Sequence, residues 1–257
     1  MAGFNERLYE LNEVGWWSGW TQTTWLGKDT YVIFSEDFGE YFFNRAGFIR
    51  IPPGTDKSLE AIEAEFSRRR RVPHIFVQNN SNHPSLLRAL DERGYRISDQ
   101  MSVMEAEIPQ FKVNPALTLE MGIDGKIEEW AKVYLSAFYG EMGYLRAVEG
   151  ILQKVSRMKE VSLLLASLDE RPVGCAALFR SEGFCGVYCV GTHPAARNMG
   201  VASTMLDFSR KLATSEGRGL ILQTILSDAV ERFYLNLGFR RVYLKDLFVR
   251  NSMRTVN

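Results

Sequence analysis

Three short apolar runs, VSLLLASL (161–168), PVGCAALFR (172–180) and FCGVYCVGT (184–192), follow one another with only Asp-Glu-Arg or Ser-Glu-Gly between them. Breaks this short leave no room for a crossover helix and suit hairpin turns, so the stretch predicts three consecutive antiparallel strands. Two amphipathic helices are expected before them. The first carries Ile127, Trp130, Tyr134 and Phe138 on one face behind an Asp124 cap, and the second carries Leu145, Val148, Leu152, Val155 and Met158. After the strands, a helix starts near Gly200 with Val201, Met205, Phe208 and Leu212 inward. GLILQTI (219–225) reads as a buried strand, SDAVERFYLNLG (227–238) as a helix closed by Gly238, and FRRVYLKDLFVR (239–250) as one or two strands.

The first half reads as a weaker copy. YVIFSEDF and YFFNRAGFIRI suggest strands, the segment 58–70 a helix with Leu59, Ile62 and Phe66 inward, and PHIFVQNN a strand. PSLLRALDERG suggests a helix and YRISDQMSVMEAEI a closing strand pair. Sliding this half by 144 residues places Gly94 on Gly238 and the helix at 58–70 on the one at about 202–214. The expectation is an internal duplication, divided near Pro109–Pro115 into units of residues 1–112 and 113–257.

Composition closes several routes. Lys plus Arg and Asp plus Glu both total 31, so the chain lacks the basic field that recruits nucleic acid, and no nucleic-acid partner is expected. No apolar run approaches the roughly 20 residues that span a bilayer. No export signal is read at MAGFNERLYELNE. Cys175, Cys185 and Cys189 are an odd, clustered set without metal spacing, which suggests free thiols, a cytoplasmic location and no metal.

The chemistry concentrates in Thr192–Ser203, THPAARNMGVAS, at a strand-to-helix turn. A helix N-terminus presents free N–H groups and partial positive charge. Gly200 and Ala202 clear space for an anion to reach the backbone, and Arg197 adds a charge-assisted contact. Neither the P-loop nor the dinucleotide GxGxxG pattern is present.

Arg197-Asn198-Met199-Gly200-Val201-Ala202 resembles the Gln/Arg-x-x-Gly-x-Gly/Ala signature of the GCN5-related N-acetyltransferase (GNAT) family, and Thr192-His193-Pro194 resembles its Val-x-Pro approach. Tyr234-Leu235-Asn236-Leu237-Gly238-Phe239 is similar to the family's late Tyr-x-x-x-Gly-Phe element. The resemblance covers about 120–257, departing at Thr192, where Val is frequent, and at Ser227, where Asn is frequent.

The resemblance implies an α/β (α+β) mixed-sheet fold, here in tandem, and an N-acetyltransferase using acetyl-CoA as co-substrate in a ternary complex with an amine. Coenzyme A is then expected in a V between 184–192 and 219–225. Its pantetheine arm would lie along Val190 and Thr192, its pyrophosphate on Arg197, Asn198, Met199, Gly200, Val201, Ala202 and Ser203, with Ser227 nearby. Tyr234 is the implied acid for the departing thiolate. Glu141 is the candidate base, although the ordinary fate of such a glutamate is solvent.

Beside these stand structural readings. Trp16, Trp17, Trp20 and Trp25, four of five tryptophans, suit a core or interdomain seam. Arg68–Arg71 suits a helix C-terminus, and His74 and His83 are isolated. The first half carries Asp56 where the second has Gly200 and Leu90 where it has Tyr234, so it is expected to lack a cofactor site and to shape the acceptor pocket. Alternatives are a longer acyl-CoA or aminoacyl-tRNA donor, or a non-catalytic acyl-CoA-binding module. The acceptor, a small molecule or a peptide amine, is not specified by the sequence. An intrachain pseudo-dimer favours a monomer.

Overall fold

A computed structural model describes residues 2–52, 54–79, 83–107, 112–123 and 125–250. The first half runs α1 (Ala2–Trp20), β1 (Gln22–Trp25), β2 (Thr30–Phe34), β3 (Arg45–Phe48), α2 (Thr55–Arg68), β4 (His74–Gln78), α3 (Pro84–Glu92) and β5 (Tyr95–Ala106). The second runs β6 (Leu117–Met121), α4 (Ile127–Phe138), α5 (Leu145–Val155), β7 (Val161–Leu168), β8 (Arg171–Arg180), β9 (Phe184–Thr192), α6 (Val201–Ser215), β10 (Gly219–Ile225), α7 (Glu231–Asn236) and β11 (Phe239–Arg250). The three-strand expectation is met by β7, β8 and β9, which pair antiparallel.

All eleven strands join one mixed sheet in the order β1-β2-β3-β4-β11-β5-β10-β9-β8-β7-β6. The two halves therefore exchange their last strands. β11 pairs antiparallel with β4 of the first half, and β5 pairs antiparallel with β10 of the second. The exchanged strands pair with each other from Phe239↔Ala106 to Arg250↔Tyr95. β5 and β11 correspond residue for residue at the 144-residue offset, and the order reads the same outward from the β5–β11 junction as far as β1 and β7.

Several expectations are corrected. Residues 95–106 form one strand rather than a pair, because β10 and β11 hold both of its edges. Tyr41–Phe43 is a 3₁₀ turn, which confines β3 to Arg45–Phe48. The helix expected over 227–238 is only Glu231–Asn236, because Ala229 adopts a left-handed φ of 57° and breaks it from a 3₁₀ turn at Leu226–Asp228. Phe138, expected inward, is 53% exposed, since the last turn of α4 overhangs the core; Trp130, Ala131 and Tyr134 face in. Asp124 lies outside the described residues, as do residues 108–111 of the expected boundary.

Helix α1 was not foreseen. It has no polar face: Leu8, Tyr9, Val14, Trp16, Trp17 and Trp20 are buried, and so are Glu10, Asn12 and Glu13. A helix enclosed all round must sit between other elements, and α1 contacts β8, β9, α5 and β1. Gly15 and Gly19 permit the approach. A Cβ at Gly15 would stand 2.7 Å from the Phe179 ring, and one at Gly19 would stand 2.6 Å from Val155 Cγ1. Trp16 stacks on Tyr188 at 5.2 Å and Trp20 lies 5.4 Å from Tyr134, so three of the four clustered tryptophans fill the seam between the halves, while Trp25 is exposed.

The carboxylates of α1 are neutralised from both halves. Arg45 of β3 meets Glu13 at 2.5 Å, and Lys245 of β11 meets Glu13 and, at 3.1 Å, Glu10. Tyr243 Oη donates to Glu10 Oε1 at 2.7 Å. Burial pushes the Glu13 carboxyl up, but Lys245 and Arg45 outweigh it and hold it below the usual carboxylate range. Burial likewise opposes charge on Lys245, which Glu10 and Glu13 reverse, raising its ammonium above the ordinary lysine value. Removing one member strands its partners in the core. Lys245→Met is expected to destabilise the protein by about 3–5 kcal/mol, read as a lowered urea midpoint. A loss below about 1 kcal/mol, the range of an exposed ion pair, contradicts the reading.

Candidate functional site

β9 and β10 run parallel and pair only at Phe184↔Gly219, Cys185↔Leu220 and Gly186↔Ile221. Beyond these pairs the strands separate, β9 staying with β8 through Thr192 and β10 with β5 through Ile225. The result is a V-shaped cleft in the sheet, open toward the C-terminal ends of both strands. On the β8 side, Cys175 opposes Gly191 and Ala177 opposes Tyr188, so Cys189 and Val190 stand against Ala176 alone. This is a β-bulge, and Cys189 sits in it at φ 53°. A bulge leaves ladder groups unpaired, and here it does so on the wall of the cleft.

Past Thr192 the chain makes a 3₁₀ turn at Pro194–Ala196, closed at its start by Ala195 N donating to His193 Nδ1 at 3.2 Å. His193 is thus a capping residue. Asn198 and Gly200 are both left-handed, at φ 64° and 76°, and Gly200 is the N-cap of α6. With no side-chain cap on Gly200, the N–H groups of Val201, Ala202 and Ser203 point out of the helix without intrahelical acceptors. Arg197 and Met199 are exposed, and an Arg197 NH2 reaches Ala137 O at 3.4 Å. Val201 is buried among the residues holding α6 to the sheet, and its side chain takes no part in the cradle.

Residues 112–114, after the described chain resumes, form one wall of this turn. Ser203 Oγ donates to Lys112 O at 2.6 Å, so its hydroxyl is engaged and its N–H is what it offers. Asn114 N donates to Thr204 Oγ1 at 2.9 Å and Asn114 Nδ2 donates to Met199 O at 2.8 Å. A Cβ on Gly200 would lie 3.5 Å from Asn114 Cβ. Asn114 thus holds the turn open. No local motif in the sequence could have picked it out, because it acts from 85 residues away.

Tyr234 lies on α7, packed against the α6 side of the sheet with Phe233 and Phe239 at 5.3 and 5.9 Å. Burial, with a smaller push from Asp228, raises its phenol to about 12. It therefore keeps its proton through the neutral range. Ser227, at the end of β10, is exposed and shares a 2.5 Å hydrogen bond with Asp99 Oδ2 of β5. Burial and Asp99 raise the Asp228 carboxyl. The strand exchange is what brings Asp99, a first-half residue, to this place.

Glu141 stands exposed in the loop between α4 and α5, and no structural contact ties it to the cleft. Tyr188 spends its hydroxyl on Asn12 Oδ1 at 2.6 Å and belongs to the α1 seam. Val190 and Thr192 are half-buried along the open edge of β9. Cys189 faces a different cluster, packing with Tyr134, Tyr139, Tyr144 and Phe38, an aromatic group bridging both halves, with Tyr139 5.2 Å from Tyr144 and Phe38 5.0 Å from Tyr144. Among the described residues, no His, Cys, Asp and Glu form a group that could hold a metal, and no helix is long and apolar enough to cross a membrane.

The first half repeats the winding without the opening. β3 and β4 pair at Ala46↔Ile75 and Gly47↔Phe76, after which Gln78 Nε2 donates across to Phe48 O and closes the gap. Gly54 precedes α2 at φ 85°, echoing Gly200, but Asp56 follows in the first turn and pairs with Arg93 at 3.4 Å. Leu90 is fully buried where the second half has Tyr234.

Residues 159–241 match the family model described as an acetyltransferase (GNAT) domain. The fold as a whole is similar to a GCN5-related N-acetyltransferase from Kribbella flavida (17% identity, 95% of each chain, TM-score 0.66). It is similar to another from Sphaerobacter thermophilus (16% identity, 88% of this chain and 82% of that one, TM-score 0.65). A tandem GNAT protein from the clavulanic acid biosynthesis pathway is also similar (12% identity, 86% of this chain and 81% of that one, TM-score 0.58). No curated protein matches the sequence. Gly200→Ala forces a side chain into the left-handed region and is expected to cost about 1–2 kcal/mol, with Gly200→Asn costing less. Urea unfolding of both variants checks this, and equal, negligible losses would contradict the geometry.

Proposed function

We propose that this chain, a member of the GNAT family by its acetyltransferase domain at 159–241 and its tandem GNAT fold, is an N-acetyltransferase that moves an acetyl group from acetyl-CoA to an amine. The carrying observation is the continuity of three features: the parted β9 and β10 strands, the bulge at Cys189–Val190, and the left-handed Gly200 opening α6. Coenzyme A, when bound, supplies an activated acyl thioester. The residues fit it. Gly200 leaves the turn free of a side chain, the first-turn N–H groups of α6 and Arg197 would hold its pyrophosphate, and the free edge of β9 at Val190 and Thr192 would take its extended arm.

A backbone N–H of the bulge would stabilise charge developing on the acyl oxygen, an effect worth about 3–4 kcal/mol where such donors have been removed. The acceptor amine, with an intrinsic pKa near ~10, must lose a proton before or during attack, and the thiolate must gain one on leaving. Tyr234 keeps its proton to about 12 and is the proposed donor. Glu141 is too exposed to be a tuned base, so a water chain ending at solvent is the simpler route. Residues 113–257 are proposed as the catalytic unit. Residues 1–112 are proposed as a second GNAT-like lobe without a cofactor site, lending α1, β5 and the Tyr41–Phe43 turn to the acceptor side. The acceptor is proposed to be a small molecule or peptide amine, and the enzyme a cytoplasmic monomer.

Thermal unfolding with acetyl-CoA tests the donor. At ~100 times its dissociation constant, the ligand is expected to add about 2.7 kcal/mol, a rise of about 5–10 °C for a chain of this size. Arg197→Glu is expected to lose most of that rise, and no rise in the wild type would overturn the donor assignment. Turnover tests the acid. Tyr234→Phe is expected to lower kcat by about 10²–10⁴ while leaving the acetyl-CoA thermal shift intact. Because a raised phenol stays protonated to higher pH, the rate should climb as the acceptor amine deprotonates and should not fall through loss of the Tyr234 proton until the pH nears about 12. An alkaline limb near pH 9 that disappears in Tyr234→Phe would refute this assignment.

A further inference from the structure

The C-terminus of α2 ends in four consecutive arginines, of which two share one carboxylate: Arg68 and Arg69 both reach Glu65, the latter at 2.5 Å. Arg70 takes a left-handed φ of 55° and is exposed, and Arg71 donates to a neutral acceptor, Ser35 O, at 2.8 Å. Arg250, at the far end of β11, comes in from the other half of the chain. Its side chain is 53% exposed and lies 3.8 Å from Glu63, a carboxylate already bound by Arg93 at 2.9 Å and by Tyr95 Oη at 3.1 Å. Ser67, Arg70, Arg71, Pro73, Glu63 and Arg250 line a cavity of about 630 Å³. No residue of the β9–β10 cleft borders it.

The internal repeat supplies a control. At the end of α6, the matching helix, Glu216 neutralises Arg180 at 2.8 Å and lies 3.6 Å from Arg218. One repeat offset earlier, the position of Glu216 is held by Val72, 47% exposed. The end of α6 thus sets a carboxylate between its arginines at a position where the end of α2 has only an apolar side chain. A helix C-terminus accounts for one or two cations through its dipole. It does not account for Arg250 converging from a separate strand on the same hollow. Guanidinium forks match the oxygens of phosphate in pairs. Three of them, with a serine hydroxyl, exceed what one carboxylate can occupy and suit a phosphoryl group bearing several oxygens.

We propose that this cavity binds a phosphate-bearing small molecule, with Arg70, Arg71 and Arg250 taking its oxygens and Ser67 Oγ donating to it. The contact weakens with added salt because the site is open. Calorimetric titration with inorganic pyrophosphate is the test, run on the wild type and on Arg70→Ala/Arg250→Ala. The wild type should give one saturable site whose affinity falls as salt is raised, and the double variant should bind at least about tenfold more weakly. The acetyl-CoA thermal shift, measured on both, should be unchanged, which separates loss of this site from loss of the fold or of the cleft. Absence of saturable heat in the wild type, or equal affinity in the variant, overturns the proposal. Co-sedimentation with phosphatidic acid vesicles in the absence of any pyrophosphate binding overturns the small-molecule assignment in favour of a membrane headgroup.

Discussion

Two carboxylates buried on one helix set the terms for the rest of the molecule. Glu10 and Glu13 cannot lie in the core as free ions, because desolvation would cost each several kcal/mol. Their partners come from distant parts of the chain, Arg45 from β3 and Lys245 from β11. The cluster is complete only when α1, the first-half sheet and the last strand of the second half are all in place. Buried ion pairs of this kind add little stability over apolar residues, but they penalise any arrangement that leaves one member alone. Here the penalised arrangement is the one in which β11 folds back onto its own half, since that would take Lys245 away from Glu13.

The strand exchange has a consequence for the cleft. With β5 rather than β11 beside β10, one arm of the V is backed by a first-half strand, and Asp99 reaches Ser227 from there. The helix covering the seam also belongs to the first half, packing Trp16 on Tyr188, next to the bulge. A bulge on an otherwise regular strand relaxes if the neighbouring side chains can move. Between Tyr188 fixed by Asn12 and Trp16 on one side and Thr192 paired to Gly174 on the other, Cys189 and Val190 have no room to slip back into register. The first half thus holds the bulge rigid.

The parts legible in the sequence were those whose signal is local. Short apolar runs parted by three residues give β7 to β9, and the helix start at Gly200 is legible because the strand, the turn residues and the left-handed glycine that opens α6 follow one another directly. Helix α1 was illegible for a physical reason. Enclosed on every side and carrying its charges inward, it shows no amphipathic period. The exchange was equally hidden, since β5 and β11 have the same length and place in the repeat, and nothing in either favours one neighbour over the other. The choice is made by Lys245, whose meaning appears only beside Glu10 and Glu13. Asn114 and Asp99 escaped because each serves the site across a long stretch of chain, while the shortness of α7 turns on one strained alanine, Ala229.

Comparing the halves isolates what a binding cleft requires beyond the winding that both possess. Each half has a parallel strand pair that parts after a few residues, and each has a left-handed glycine before the following helix. In the first half the gap is stitched by Gln78 to Phe48, the helix start carries the carboxylate of Asp56, and the later helix offers buried Leu90. The three changes act together. An amide in the gap satisfies the free strand edge that an extended ligand would need, the acid cancels the anion-attracting helix terminus, and the leucine stands where the second half has the hydroxyl of Tyr234, the proposed proton donor. With the ligand's requirements gone, the half is free to serve packing, which explains how it could take on α1, the buried charge cluster and the exposed arginines at the end of α2 without disturbing the cleft beside it.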